Sequence, residues 1–235
     1  MATNNNDNSF LFAVLFALKE QALTDFSNEQ LEEVKKTINT FAVYSAATGL
    51  AANIVPSVGG LAAAAAQTGL VWALYVKINK ALKIDLSENV MKFVGSALLS
   101  NLILNAGTLI IGYAAATVLS IIPIFGQITA ALLDGALGFI LIYAAAVLYL
   151  KLLTKVMKVQ GNFEMKESEE TKEFVKDVIK DTDLKSLIKE AKDAYKEAKA
   201  RGEIDKAKNK LECPSCHNSI EPGQKFCTHC GLELK

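Results

Sequence analysis

The sequence predicts a mainly α protein: two apolar helical hairpins forming a membrane-associated bundle, then a charged amphipathic helical arm, then a small metal-binding module. Residues 41–153 predict the bundle, because this 113-residue stretch carries only eight charges, where an ordinary soluble segment would carry about 28. Residues 164–212 predict the arm, since over half of them are charged in both signs. The last 23 residues predict the metal module, since they hold all four cysteines of the chain.

The chain has 235 residues and a formal net charge of zero. No global field selects nucleic acid or an acidic ligand. Clustering of the cysteines argues for one local site in a reducing compartment rather than a disulfide framework. The N-terminus has no basic n-region and no small-residue cleavage site, so the internal apolar segments are expected to direct any membrane insertion.

Residues 1–8 are polar and Asn-rich and read as a disordered tail. Residues 9–36 read as amphipathic N-terminal helices. In the first of them Ser9 can cap a helix whose Phe10, Leu11, Val14, Leu15 and Leu18 recur at helical spacing. It either packs on its neighbours or lies in a membrane interface, for which Phe10, Phe12 and Phe16 are suited. Ser27 and Gln30 form a capping box for a second helix. That helix begins polar, turns apolar at Phe41 and stops before Pro56, which cannot continue the hydrogen-bond ladder.

Residues 37–158 form the hydrophobic two-hairpin domain. The chain returns from Val58 through a Gly/Ala-rich arm to Trp72, Tyr75 and Lys77. A basic link follows, with Ser87 as the next cap. A third arm runs from about Glu88 to Ile122 and breaks at Pro123, and a fourth runs from Gly126 to about Lys158. Lysines cluster at the outer ends of the arms and are missing from both proline turns. By the positive-inside rule both termini are expected to be cytoplasmic, with Trp72, Tyr75, Tyr143 and Tyr149 forming an aromatic belt. The first two arms are only about 28–32 Å long, enough to span or to form a re-entrant hairpin, whereas the last two reach ~45 Å. The competing expectation is a soluble bundle with a buried apolar centre.

Polar residues within the apolar arms are candidate seam residues: Gln67, Asn101, Asn105, Tyr113 and Asp134. Gln67 and Asp134 each follow a Pro-x-x-Gly by eight residues, a weak internal repeat. Asp134 would cost about 2.5–3.5 kcal/mol at a bilayer centre, so it is expected to face protein or water. Asp134, Gly138 and Ala145 share a small or polar stripe. Asn101, Asn105, Thr108, Gly112 and Ala115 offer a similar stripe on the third arm, so the two are expected to meet in a close-packed seam. The alternative is a pore lined by Asn101, Asn105 and Asp134.

Ile54-Val55-Pro56, Gln67, the LYVKINKALKIDLS stretch from Leu74 to Ser87, and Ile121-Ile122-Pro123-Ile124-Phe125-Gly126 carry a family resemblance. Over residues 45–150 the chain resembles the hydrophobic domain of the YcjF type, which accompanies bacterial small GTPases. The resemblance implies the cell or inner membrane of a prokaryote and a small GTPase as partner. The chain has no Gly-x4-Gly-Lys-Ser/Thr motif, so it is not itself a GTPase of that style.

In the arm (164–210) an apolar stripe runs through Phe174, Val175, Val178 and Ile179, then Leu184, Leu187, Ile188, Ala191, Tyr195 and Ala198. Asp183 is placed to cap the second helix, Glu197 and Arg201 form an i,i+4 pair, and Gly202 ends it. The arm is expected to pack on the ends of the apolar helices, or to offer a coiled-coil face to a partner.

In residues 211–235, Cys213-x2-Cys216 and Cys227-x2-Cys230 are two knuckles whose four thiolates suit one tetrahedral Zn²⁺. The segment closely resembles the short zinc-ribbon family. Four cysteines complete the shell, so His217 and His229 are expected not to ligate, and the metal is structural rather than catalytic. Lysines near the ribbon are diluted by Glu212, Glu221 and Glu233, which favours a protein partner over nucleic acid. No nucleophile, base or acid pairing is legible, so the chain is expected not to be an enzyme. The sequence thus points to an integral membrane protein whose arm and ribbon scaffold a protein partner. Homo-oligomerisation into a pore and a soluble helical adaptor are the alternatives.

Overall fold

The computed structural model describes residues 10–21, 26–48, 60–121 and 130–209, and within the C-terminal segment residues 213, 215–216, 218, 220, 226–227 and 229–233. The expectations for residues 1–8, for Ser9, for both proline turns at Pro56 and Pro123, and for His217 fall outside these residues. The helices are α1 (Phe10–Gln21), α2 (Asn28–Thr48), α3 (Gly60–Leu82), α4 (Glu88–Ile121), α5 (Ala130–Gln160), α6 (Glu169–Lys180), α7 (Leu184–Ala200) and α8 (Glu203–Asn209).

Local signals in the sequence set the helix starts. Ser27 and Gln30 close the reciprocal capping box at α2: the Ser27 amide donates to Gln30 Oε1 at 2.9 Å and the Gln30 amide to Ser27 Oγ at 3.2 Å. The amide of Val90 donates to Ser87 Oγ at 3.3 Å at the start of α4. The amide of Ser186 donates to Asp183 Oδ1 at 3.1 Å at the start of α7. Gly202 follows α7 with φ +69°, the left-handed conformation that glycine adopts without steric cost.

The core is built around α5. It packs against α1, α2, α3, α4, α6 and α7, most extensively against α2. Helices α4 and α5 are both long and apolar enough to cross a membrane, yet 94% of the most apolar window of α5 is buried inside the protein, against 39% for α4. A helix that is apolar all round is either lipid-facing or the centre of a bundle, and here α5 is the centre.

The charged arm supplies much of that cover. The apolar stripes of α6 and α7 are buried against α4 and α5, with Val175, Leu187, Ile188 and Ala191 inaccessible to solvent. Polar contacts mark how far the arm extends. Lys155 Nζ meets Asp177 Oδ2 at 2.8 Å, and Lys151 Nζ donates to Thr182 Oγ1 at 2.8 Å. Farther along, the Tyr143 hydroxyl donates to Glu190 Oε1 at 2.7 Å, and the Phe139 and Tyr195 rings meet edge to face at 5.5 Å. On α4, Lys192 Nζ lies 5.4 Å from the Tyr113 ring centre. Glu190 also accepts hydrogen bonds from the first amides of α1, at Phe10 and Leu11, where a carboxylate complements the helix dipole.

Two expectations are corrected. Tyr75 and Tyr149 are not an aromatic belt: both are fully buried, with stacked rings 3.9 Å apart. The hydroxyl of Tyr149 donates to Asn79 Oδ1 at 2.7 Å, and that of Tyr75 to the Ala145 carbonyl at 3.0 Å. These bonds satisfy groups that belt tyrosines would leave to headgroups and water. The close-packed seam of α5 faces α2 rather than α4. A Cβ at Gly135 would lie 2.9 Å from the Ala46 carbonyl oxygen, and one at Gly138 would lie 2.5 Å from Ser45 Oγ. A Cβ at Gly112 of α4 would meet nothing within 4 Å.

Candidate metal centre and the polar residues of the apolar helices

Each cysteine knuckle is shaped by a short backbone turn. The Cys213 amide donates to the Asn218 carbonyl at 2.8 Å, closing the first knuckle around Cys216. In the second, the Cys227 amide donates to the Leu232 carbonyl at 2.7 Å and the Gly231 amide to the Cys227 carbonyl at 2.9 Å, with Gly231 at φ +72°. Phe226 and Glu233 form an antiparallel bridge that holds the two ends of this knuckle together.

The four sulfur atoms converge. Cys213 Sγ lies 3.5 Å from Cys230 Sγ, Cys216 Sγ lies 3.4 Å from Cys227 Sγ, and all four fall within 4.8 Å of one another. A zinc–sulfur distance of about 2.3 Å in a tetrahedron requires sulfur atoms about 3.8 Å apart, so the cage fits one Zn²⁺. With four thiolates as ligands no position remains for water, which makes the metal structural. His229 is exposed and is not one of the converging ligands.

The thiols sit in unequal surroundings. Cys213 and Cys227 are buried, Cys216 is partly exposed and Cys230 is exposed. Burial pushes the Cys213 thiol well above its ordinary range. At Cys216 slight burial acts in the same direction, but hydrogen bonds from the Asn218 side chain and backbone, together with the neighbouring thiols, hold it down to about 6. The Asn218 amide, 3.3 Å from Cys216 Sγ, is the kind of outer contact that orients a metal ligand and favours its thiolate.

The ribbon is joined to the bundle. Cys213, Ile220, Cys227 and Leu232 belong to the same apolar core as the helices. Burial, and then the charge of Cys213 and Cys227, raises the Tyr44 hydroxyl of α2 above its ordinary range. Helix α8 fixes the approach: Asn39 Nδ2 of α2 donates to Glu203 Oε2 at 3.1 Å. Neither α8 nor this contact was legible in the sequence, where residues 203–209 read only as a charged extension of the arm.

The polar residues expected to form a seam or pore lining do not converge. Asn101 donates to the Ala97 carbonyl at 2.9 Å and Asn105 to the Asn101 carbonyl at 2.8 Å, so both bond back to their own helix. Asn105, Thr108 and Gly112 are exposed on the outer face of α4. Tyr113 is half-buried beneath Lys192, and Asp134 is half-buried near the start of α5. Gln67 lies within α3, and its side chain is outside the described residues. Buried polar residues that sequence reasoning overlooked include Asn79 and Ser45. Asn79 sits in a lysine-rich link and had no feature to separate it from a solvated residue.

Residues 213–234 match the family model of the zinc-ribbon domain. No curated protein and no solved structure matches the chain. The YcjF-type resemblance over residues 45–150 is therefore left without support, and the family assignment is confined to the ribbon.

Proposed function

We propose that the protein is a membrane-associated scaffold: an apolar end of the helical bundle embeds in the bilayer, and the arm and zinc ribbon recruit a protein partner on the cytoplasmic side. The observation that carries this reading is the distribution of charge along the bundle. The arm accompanies α4 and α5 as far as Tyr113 and Phe139, and Cys213, Ile220, Cys227 and Leu232 of the ribbon share the core of the helices. The described residues past Tyr113 on α4, 114–121, carry no charge, and those before Phe139 on α5, 130–138, carry only Asp134.

The geometry favours dipping into the membrane over crossing it. From Ala130 to Gly138 the rise is about 12 Å, against a hydrocarbon core of ~30 Å. Ile111, an exposed apolar residue of α4, lies at the edge of this end, where it suits contact with acyl chains better than with water. A pore would need several copies to bring Asn105 and Thr108 of α4 to a common axis. Within one chain the described residues do not gather them. A small GTPase as the partner rests on the unsupported resemblance alone, so the partner class proposed is simply protein, recognised by the arm and ribbon.

Fractionation with point variants tests the membrane reading. The protein should stay in the pellet after alkaline carbonate washing. Ala116→Arg, on the exposed distal face of α4, should shift it toward the supernatant, since a charge placed in the hydrocarbon region is costly, reaching about 2.5–3.5 kcal/mol at the bilayer centre. Ser100→Arg, exposed but nearer the arm, should not. A wild-type protein released by carbonate would instead establish the soluble adaptor.

A further inference from the structure

A groove runs along one side of the bundle between α1 and α6, floored by α5. Its volume is about 530 Å³, within the ~300–1,000 Å³ of small-molecule sites. Its α1 wall is Phe10, Ala13, Val14 and Ala17, and the rest is lined by Lys151, Thr154, Lys155, Lys158 and Val159 of α5 with Val178 and Asp181 near α6. The small side chains of Ala13 and Ala17 leave the space open, and Val159, 60% accessible, sits uncovered at its edge. A solvent-facing helix surface ordinarily carries polar groups at such positions.

The charge of the groove is as distinctive as its apolarity. Three lysines from successive turns of α5 line it, and they are not equally neutralised. Lys155 is held by Asp177 at 2.8 Å and Asp181 at 3.7 Å. Lys151 is half-buried, donates to the Thr182 hydroxyl at 2.8 Å and lies 5.2 Å from the Phe10 ring centre. Among the described residues neither Lys151 nor Lys158 has a carboxylate within ion-pairing distance. A half-buried cation gains more from an arriving anion than a fully hydrated one does.

We infer that this groove binds an anionic amphiphile of the long-chain fatty-acid class, with its carboxylate at Lys151 and its alkyl chain along Ala13, Ala17 and Val159. The chain supplies what the apolar walls lack, and the carboxylate supplies what Lys151 lacks. Neither a purely apolar ligand nor a small inorganic anion satisfies both halves of the site.

Photolabelling of the full-length protein with a diazirine-bearing palmitate, mapped by mass spectrometry, tests the assignment. Labels are expected on the peptides containing residues 10–21 and 151–165. Excess oleate should suppress them at least fivefold, and excess oleyl alcohol or sodium acetate should suppress them much less. Ala17→Leu, which fills the groove, and Lys151→Gln should each lower labelling at least fivefold while helical content by circular dichroism is retained. Should either variant lose helical content, Val159→Gln, at an accessible edge position, takes its place with the same expected loss. Labels confined to the charge-free parts of α3 and α4, labelling indifferent to the variants, or equal competition by oleyl alcohol would overturn the proposal.

Discussion

Tyr75 and Tyr149 stack with ring centres 3.9 Å apart and 10° between planes, both wholly buried, and each hydroxyl finds a separate buried acceptor. The pair ties α3 to the middle of α5. The Tyr149 hydroxyl is the more consequential of the two, because its acceptor, Asn79 Oδ1, is itself a buried side-chain group. Tyr149→Phe should therefore destabilise the protein by about 1–3 kcal/mol, the cost of leaving a buried acceptor unmet. Thermal melting should register a fall of several degrees, at roughly 2–4 °C per kcal/mol for a chain of this size. An unchanged midpoint would mean that Asn79 finds another donor.

Glycines of the two long helices should respond in opposite ways. Gly138→Leu drives a side chain into Ser45 and the α2 backbone, and overpacking of this kind costs about 1–3 kcal/mol or more. Gly112→Ala meets no neighbour within 4 Å and should stabilise by about 0.5–1 kcal/mol through helix propensity alone. Comparing the two melting temperatures distinguishes the α2–α5 crossing from a seam between α4 and α5, in which Gly112 would be the sensitive position.

Metal analysis of the purified protein should give about one zinc per chain, and Cys213→Ser with Cys227→Ser should abolish it. A module of some two dozen residues buries too little to fold unaided. Chelation should thus unfold the ribbon while leaving the far-ultraviolet helical signal nearly intact. Loss of the whole helical signal would mean that the ribbon holds the bundle together.

Acid should loosen α8 before it loosens the bundle. Burial opposes the charge of Glu203, but hydrogen bonds from Arg201 and Asn39 outweigh it and leave the carboxyl below its ordinary value. A depressed acid contributes stability above its unfolded value of about 4.3, and that contribution disappears as pH falls through the lower folded value. Amide exchange in α8 should accelerate relative to α5 as pH falls below the ordinary glutamate value of about 4.3. Glu203→Gln should flatten that difference.

The parts legible in the sequence were those set by near neighbours along the chain. Ser27 with Gln30, Ser87, Asp183 and Gly202 mark helix ends through contacts only a few residues apart, and the cysteine spacing declares the metal cage in the same way. What was not legible depended on which faces meet. The apolar run of α5 is equally compatible with lipid and with a ring of helices, and periodicity in α6 and α7 requires a buried stripe without naming its partner. Tyr75 and Tyr149 were misread for that reason: an aromatic near a lysine suits a membrane interface, and only the fold reveals that the two rings face each other. Glu190 carried no signal at all, one acid among many on α7, although it grips α1 and Tyr143 together.

The cover supplied by the arm has a consequence for synthesis. Helix α5 ends at Gln160 and α7 at Ala200, so at about 5–20 residues per second the apolar helices leave the ribosome roughly 2–8 s before the helices that enclose them are complete. During that interval the faces of α4 and α5 that α6 and α7 will cover are open to whatever is nearest. A bilayer, an insertion machinery or a chaperone therefore competes with the chain's own C-terminal third for the same surface, and the winner is decided by timing as well as by affinity.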